Sequence, residues 1–351
     1  GLNYQPPYFP YAAINPQDAA ITLANNGRFD IITTIANNAA GTRTVKYGAT
    51  RDNVLALEAV LADGTILRTG SRSTKQSAGY DLTHLIVGSE GTLALVTEAT
   101  LKLAPVPEHF SAVVAAFPTT ESAAQAVFAI MGSGLGPAAL ELIDTATAAA
   151  LNRAEALGLP ESPNLFLEFH GASEITLAAE LGLVRQICAE NGCQTFSAGL
   201  GREARARLWQ ARHRLGELLP RLHPGQGYAI ADVAVPISHY PALVAAAGEA
   251  LRALPDVTGF IFGHAGDGNM HSHVFFDDTP AEYARVQHGY TDRVVETAIA
   301  LGGTCTGEHG VGIGKQKYML REHGPAALEL MRRIKALLDP HGILNPGKVV
   351  G

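Results

Sequence analysis

The stretch "VTGFIFGHAGDGNMHSHVFFDD", residues 257–278, decides the predicted fold of this chain. Its two apolar ends are rich in β-branched and aromatic residues, which is typical of strands. The segment between them carries three histidines, an aspartate and an asparagine among glycines. Gly266 and Gly268 permit a tight link, so we expect the histidine rings on either side of it to converge.

Further strands and helices alternate along the chain around this segment. "NLFLEFHG" (164–171) and "YAIADVAVP" (228–236) are predicted strands. "EITLAAELGLVRQICAENG" (174–192) and "YPALVAAAGEALRAL" (240–254) are predicted helices, and "EARARLWQARHRLGELLPRL" (203–222) is a further helix with a leucine stripe. The pattern predicts an α+β fold in which helices cover a large, mostly antiparallel sheet.

The first third of the chain has a different pattern. "NVLALEAVLADGTILRTG" (53–70) predicts a hairpin, because Ala-Asp-Gly separates two strand-like runs. Pro105 and Pro107 then mark a boundary, whereas residues 1–30 are rich in Pro, Asn and Ala and are predicted to be irregular. The predicted domains are residues 1–105, 106–315 and 316–351.

Composition restricts the class of protein. The chain has 351 residues, of which 47% are hydrophobic and 17% charged, so it is long enough for two globular domains. The net charge is −7 and the basic residues are scattered, which argues against a nucleic-acid partner. No apolar run is long enough to span a membrane. Cys188, Cys193 and Cys305 show no CxxC spacing, which favours a reducing, cytoplasmic compartment without disulfides.

Two histidines and one carboxylate suggest a metal site. His264 and His271 flank the glycine link, and "TCTGEHGVGIGK" places Glu308 and His309 between glycines further along the chain. Such a ligand set suits a divalent metal of the Zn, Mn or Fe kind, with coordination positions left open for a substrate. The spacing is neither HExxH nor a P-loop. The alternative is that these histidines are hydrogen-bonded structural residues.

Five segments in order resemble the FAD-linked 2-hydroxyacid dehydrogenases, a family of vanillyl-alcohol-oxidase-type flavoproteins. These segments are "YGATRDNVLALEAVLADGTILRTG" (47–70), "AGYDLTHLIVGSEGTLALVTEATLKLAP" (78–105), "GHAGDGNMH" (263–271), "GGTCTGEHGVGIGK" (302–315) and "LLDPHGILNPGKV" (337–349). The family includes D-lactate dehydrogenase (cytochrome) and the FAD subunit of glycolate oxidase. "ALELID" and "LFLEFHG" make the D-lactate type the nearest likeness.

The resemblance implies a split FAD-binding domain and a cap domain with a large antiparallel sheet covered by helices. It places flavin contacts at Asn38, Gly41, Gly48, Gly88, Glu90, Gly91 and Val96, and at Asn345 in a tail that returns to the FAD domain. Glycines at such positions let backbone N–H groups approach a pyrophosphate. The family's N-terminal FAD subdomain has no counterpart in the sequence, so we expect a partial FAD-binding domain.

The implied reaction is oxidation of a small 2-hydroxy acid, of the D-lactate or glycolate type, to the 2-oxo acid. Hydride passes to flavin N5, and a cation held by His264, His271 and Glu308 stabilises the alkoxide. His309 is the expected base, since its ordinary pKa suits proton transfer near neutrality. Arg212 is the expected partner of the substrate carboxylate. The alternative for Arg212 is a solvated charge on a helix.

Asp267 and His273 are further expected groups, which would orient the imidazoles that bind the metal. The electron acceptor is expected to be a cytochrome, a quinone or an electron-transfer flavoprotein. Through that acceptor the protein would contact a membrane peripherally, and a homodimer is a further expectation. Two other functions stay open at this point: a metal-dependent hydrolase that uses the same ligands, and a truncated, flavin-free fragment that only binds a partner.

Overall fold

The computed structural model describes residues 20–22, 34–199 and 201–351, and these residues form two compact units. The first unit comprises the described residues up to Gly41, together with Tyr47–Val106 and Glu308–Gly351. The second comprises Thr42–Lys46 and Pro107–Gly307. The second unit therefore ends before Glu308, whereas the predicted boundary follows residue 315. Of the N-terminal segment predicted to be irregular, only a short strand lies within the described residues.

The first unit is built on a small antiparallel sheet. Among the described residues its strands are β1 Ala20–Thr22, β2 Val54–Val60, β3 Ile66–Gly70 and β4 Leu95–Leu101, in the order β1-β4-β2-β3. The predicted hairpin is confirmed: β2 and β3 pair, and Gly64 N donates to Leu61 O over 3.0 Å in the turn between them. Val54, Leu57 and Val96 are buried in the core beside this sheet.

The second unit contains the large sheet that the sequence predicts. Its strands within the described residues are β5 His109–Ala116, β6 Ala139–Ile143, β7 Asn164–Gly171, β8 Thr195–Ala198, β9 Gln226–Ala234, β10 Thr258–Gly263 and β11 Asn269–Asp277. Their order is β8-β5-β7-β6-β10-β11-β9, and every neighbouring pair is antiparallel. The predicted α+β class with an antiparallel sheet is confirmed. The histidine segment is the β10–β11 hairpin near one edge of this sheet.

Helices surround the strands in both units. In chain order they are α1 Thr44–Tyr47, α2 Thr50–Asn53, α3 Leu82–Ile86, α4 Thr120–Gly132, α5 Thr145–Glu155, α6 Glu174–Glu190, α7 Arg202–His213, α8 Leu215–Leu222, α9 Tyr240–Arg252, α10 Pro280–Val286, α11 Asp292–Ala300 and α12 Gln316–Leu338. The helix predicted over residues 203–222 is two helices, which meet at Arg214. In α12, Gly324 has φ +75° and the next residue is a proline, which kinks the helix.

Capping explains where several helices begin. At four helix starts a side-chain oxygen accepts a hydrogen bond from the backbone N–H three residues further on. This bond satisfies an N–H group that has no partner within the helix. The capping residues are Thr119, Asp144, Ser173 and Thr279. The leucine stripe of α7 and α8 is buried against aromatic residues of the sheet. This core includes Leu208, Leu215, Leu218 and Leu219 with Phe166, Phe260, Phe262 and Phe275. Each such side chain contributes about 1.5–3 kcal/mol by burial, so this core stabilises the packing of α7 and α8 against the hairpin.

None of the three cysteines forms a disulfide in the part of the chain that the structure describes. Of the described helices, none combines the length and the apolar character needed to cross a membrane.

Candidate functional site

The histidine segment places two imidazoles together at the end of the β10–β11 hairpin. His264 directly follows β10, and His271 lies on β11 opposite Phe262. The two ring centroids are 5.1 Å apart and the rings are nearly perpendicular. Both side chains are buried. The convergence of these rings follows from the tight turn Ala265–Asp267, which ends at Gly268 with φ +71°.

Each of these imidazoles has a carboxylate at its Nδ1 atom. His264 Nδ1 lies 2.7 Å from Glu141 Oε1, and because a carboxylate only accepts, the ring nitrogen donates. His271 Nδ1 lies 3.5 Å from Asp232 Oδ1. Asp232 also accepts hydrogen bonds from Asn269 Nδ2 at 2.8 Å and from Thr306 Oγ1 at 3.0 Å. The hydrogen bond to Glu141 fixes the tautomer of His264 in which Nε2 can bind a metal.

Glu141 also contacts the arginine that was expected to bind substrate. Its Oε2 lies 2.5 Å from Arg212 Nη2, and its side chain is fully buried on β6. Burial raises the pKa of Glu141, but the charges of Arg212, His264 and His271 outweigh it, so the pKa lies below the ordinary value. Glu141 is therefore ionised near neutral pH.

Arg212 is not a solvated helix charge. Its side chain is 6% exposed, and its guanidinium lies over the ring of Phe262 at 5.1 Å. Among the described residues no group hydrogen-bonds to its buried Nε atom. A buried guanidinium with donor capacity left over is what a planar carboxylate ligand needs.

Two glycines permit the close packing of this site. A Cβ at Gly263 would lie 2.5 Å from Asn269 O, and a Cβ at Gly307 would lie 2.0 Å from Asn269 Nδ2 and 2.8 Å from Asp232 Oδ1. At both positions these distances are shorter than a Cβ atom can approach, so only glycine fits without a shift of its neighbours. The glycine that precedes Glu308 in the sequence thus serves close approach rather than an open loop.

The predicted third ligand and the predicted base belong to the first unit. Glu308 is mostly buried, His309 is about half exposed, and His309 Nε2 lies 3.9 Å from Glu308 Oε1. The ligand role of Glu308 and the base role of His309 stay predictions.

A second buried carboxylate, Glu168, lies on β7, the strand next to the one that carries Glu141. Glu168 Oε1, on β7, lies 2.5 Å from Arg43 Nη1, 2.6 Å from His170 Nε2 and 3.4 Å from Arg205 Nη1. Lys46 Nζ donates to His170 O at 3.1 Å. Burial raises the pKa of Glu168, but the hydrogen bond from His170 and the contacts with Arg43 and Arg205 outweigh this effect. The net result is a pKa of about 2, below the ordinary value. These contacts hold the segment Thr42–Lys46 on the large sheet.

The residues expected to contact the flavin lie in the first unit, and Glu90 connects several of them. Glu90 has φ +53°, a conformation that is strained for a residue with a side chain. Its carboxylate accepts from Val311 N at 2.6 Å and Gly312 N at 2.8 Å. Asn345 Nδ2 donates to Glu90 O at 2.6 Å, so the C-terminal tail does return to this turn.

A second pair of turns meets in the same unit. Asn38 has φ +50°, and its Oδ1 accepts from Arg51 N at 2.8 Å. Gly88 has φ +83°, and a Cβ there would lie 3.1 Å from Asn38 Cβ. Gly41, Gly48 and Gly91 lie in adjacent turns. Val96 is buried in the core, which gives its side chain a packing role.

Sequence reasoning missed Glu141, Asp232 and Glu168. Glu141 accepts from Nδ1 of His264, and Asp232 lies 3.5 Å from Nδ1 of His271. The orienting role of Asp267 and His273 stays a prediction. One signal was present in the sequence: a single acidic residue stands within an otherwise apolar strand, "ALELI". A charge in a strand that is buried throughout must have a partner.

Comparison with known families gives two matches. Residues 106–349 match "FAD linked oxidases, C-terminal domain", and residues 13–70 match "FAD binding domain". The first match covers more than half of the chain.

Curated relatives are similar over most of the chain. "Probable D-lactate dehydrogenase, mitochondrial" of Danio rerio is 42% identical over 90% of this chain and 64% of its own length. "D-lactate dehydrogenase [cytochrome], mitochondrial" of Arabidopsis thaliana is 40% identical, over 90% and 55%. "Glycolate oxidase subunit GlcD" of Bacillus subtilis is 39% identical, over 90% and 67%. The chain thus spans between about half and two thirds of these relatives.

Solved structures share the fold. p-Cresol methylhydroxylase superposes with a TM-score of 0.64 at 18% identity, over 84% of this chain and 64% of its own. 4-Ethylphenol oxidase from Gulosibacter chungangensis has a TM-score of 0.62 at 18% identity, over 87% and 68%. These likenesses confirm the predicted vanillyl-alcohol-oxidase-type fold.

Proposed function

Because this chain belongs to the family of FAD-linked oxidases, we propose that it oxidises a small 2-hydroxy acid of the D-lactate or glycolate type to the 2-oxo acid. The observation that carries the proposal is the buried arrangement of Arg212, Glu141 and His264 in the second unit. It combines a carboxylate-binding group with a histidine held in one tautomer. Relatives named as D-lactate dehydrogenase and glycolate oxidase subunit support the substrate class.

FAD, when bound, supplies the acceptor for the α-hydride of the substrate. The turns of the first unit suit such a cofactor, since Gly88 and Gly91 hold positive φ angles and carry no side chain, which lets a ligand approach the backbone closely. We propose that Asn38, Gly88, Glu90 and Asn345 form part of its site. Gly41, Gly48 and Gly91 lie in the adjoining turns and complete the proposed set, and Val96 supports it from the core.

A divalent cation of the Zn, Mn or Fe kind would act as a Lewis acid that lowers the pKa of the substrate hydroxyl. The donor set fits: the rings of His264 and His271 are close, and His264 donates from Nδ1 to the carboxylate of Glu141, as metal-binding histidines do. His271 Nδ1 lies 3.5 Å from the carboxylate of Asp232. Glu308, the proposed third ligand, directly follows Gly307, which lies against Asp232 and Asn269.

The chain's own residues then have separate tasks. Arg212 holds the substrate carboxylate in two parallel hydrogen bonds, which orients the α-carbon. His309 takes the hydroxyl proton, because a neutral imidazole is a competent base near pH 7. The buried position of Arg212 excludes water, which strengthens its attraction for the carboxylate.

The electron acceptor and the location extend the proposal. The Arabidopsis thaliana relative is named as a cytochrome-linked D-lactate dehydrogenase, which favours a cytochrome as acceptor over a quinone or an electron-transfer flavoprotein. The cytoplasmic location stays a prediction, and two of the relatives are named as mitochondrial. The homodimer also stays a prediction.

The proposal is tested by an activity panel. The FAD-loaded chain is given D-lactate, L-lactate, glycolate or a longer 2-hydroxy dicarboxylate, with an artificial dye as electron acceptor. We expect dye reduction with D-lactate and glycolate. A chain that binds no FAD and reduces no dye would instead be a fragment with a binding role, and hydrolysis without flavin would favour the metal-dependent hydrolase.

The metal is tested separately by elemental analysis of the purified chain. We expect one equivalent of a divalent metal in the wild type and its loss in His264→Ala. His288→Ala is the matched control, because His288 is 76% exposed and pairs with Asp292 on a helix. Retention of the metal in His264→Ala would contradict the ligand assignment.

A further inference from the structure

Glu141 contacts two functional groups at once. Its Oε1 accepts from His264 Nδ1 at 2.7 Å, and its Oε2 lies 2.5 Å from Arg212 Nη2. These partners come from the end of β10 and from α7, far apart in the sequence, and meet at one carboxylate on β6. The side chain of Glu141 is fully buried, so water does not compete for either contact.

The strand register holds the carboxylate in place. In β6 every residue is buried, and Leu142 pairs with Gly263 while Ile143 pairs with Phe262 on β10. Glu141 therefore lies beside the residue that follows Gly263. Phe262, which β10 contributes, also lies against the Arg212 guanidinium at 5.1 Å. The carboxylate cannot shift without moving the strand pair.

We propose that Glu141 is a positioning residue that sets the tautomer of His264 for metal binding and, with its other oxygen, aims Arg212 at the substrate carboxylate. This inference rests on the proposed function and extends it. One side chain couples the two binding events, so its loss must weaken both the binding of metal and the binding of substrate. The tautomer of His264, which nitrogen NMR reports, distinguishes this role from a purely structural one.

The amide isostere distinguishes the two oxygens of Glu141. In Glu141→Gln, an amide oxygen facing His264 leaves the amide NH₂ facing the guanidinium, donor against donor. In the opposite orientation the NH₂ faces His264 Nδ1, and the ring proton must move to Nε2, where it blocks coordination. Either orientation loses one contact and removes the negative charge.

The experiment titrates the chain with Zn²⁺ and measures the KM for D-lactate of the FAD-loaded protein. We expect Glu141→Gln to weaken Zn²⁺ binding by about 10–100-fold and to raise the KM about tenfold. Asp144→Asn is the matched control, since Asp144 directly follows the same strand and its carboxylate accepts from the backbone N–H groups of Thr147 and Ile261. We expect it to change neither value.

The outcomes separate this inference from the proposed function. A wild-type chain that does not bind Zn²⁺ would overturn the metal site and the inference with it. Zn²⁺ binding that is equal in wild type and Glu141→Gln would overturn the inference alone. Should Glu141→Gln not fold, nitrogen NMR of the wild-type imidazole rings decides. The Nδ1–H tautomer of His264 supports the inference, and the Nε2–H tautomer overturns it.

Discussion

Arg43 and Glu168 form a partly buried ion pair across 125 residues of sequence, and Arg43 Nη1 lies 2.5 Å from Glu168 Oε1. Glu168 is fully buried, whereas Arg43 is 29% exposed. The pair joins the short segment Thr42–Lys46 to β7 within the second unit. His170 and Arg205 share the same carboxylate oxygen, so the loss of this one charge affects three cationic or polar side chains.

We expect Glu168→Gln to lower the free energy of unfolding by about 3 kcal/mol, because removal of one partner leaves a partly buried guanidinium uncompensated. Chemical denaturation measures the change. Glu58→Gln is the matched control, since Glu58 pairs with an arginine that is 80% exposed on a strand of the first unit. Solvent screens that pair, so its loss should have little effect. Equal effects of the two changes would contradict the assignment.

Glu168 also predicts a dependence of stability on pH. Its pKa is about 2 in the folded chain against an ordinary value of 4.5. The unfolded chain therefore binds the proton first as the pH falls, so the stability contributed above pH 4.5 is lost between 4.5 and about 2. Unfolding followed across this range should show a steeper loss in wild type than in Glu168→Gln. Parallel curves would contradict the prediction.

Gly307 is a test of close packing at the candidate site. We expect Gly307→Ala to destabilise the second unit by about 1–3 kcal/mol, because the new Cβ would lie 2.0 Å from Asn269 Nδ2. Gly182→Ala is the control: it lies in α6, where a Cβ would meet no atom within 4 Å among the described residues, and alanine favours helix. Thermal unfolding should move in opposite directions for the two variants. A tolerated alanine at 307 would show that the segment before Glu308 is not tightly packed.

Arg212 is expected to be sensitive to a conservative change. Arg212→Lys keeps the positive charge but loses the planar, two-pronged donor arrangement. We expect kcat/KM for D-lactate to fall about 10–100-fold, equivalent to the loss of one hydrogen bond between charged groups. Steady-state kinetics with the FAD-loaded chain measures it, and Arg153→Lys, a substitution near the end of α5, serves as the control. An unchanged kcat/KM would remove Arg212 from the substrate site.

Local patterns were sufficient to predict most of the fold. The strand "NLFLEFHG" and the helix over residues 174–192 agree with β7 and α6, because alternation and capping are properties of neighbouring residues. The break at Arg214 was missed, since the leucine stripe continues through it. The histidine rings were expected to converge because a short glycine link restricts them.

The carboxylates could not be predicted, because their partners are distant in sequence. Glu141 meets His264 and Arg212 only through the pairing of β6 with β10 and the packing of α7. Glu168 likewise finds Arg43 through the large sheet. Charges in apolar strands indicate that a partner exists, but the strand order decides which residue it is.

The most direct measurement of the central proposal is an anaerobic mixing experiment with the FAD-loaded chain and D-lactate. Without an external acceptor the bound flavin can accept hydride only once. We predict that the visible band of the oxidised flavin disappears and that one molecule of 2-oxo acid forms for each flavin reduced. A flavin that binds to the chain and stays oxidised with D-lactate and with glycolate would contradict the proposed function.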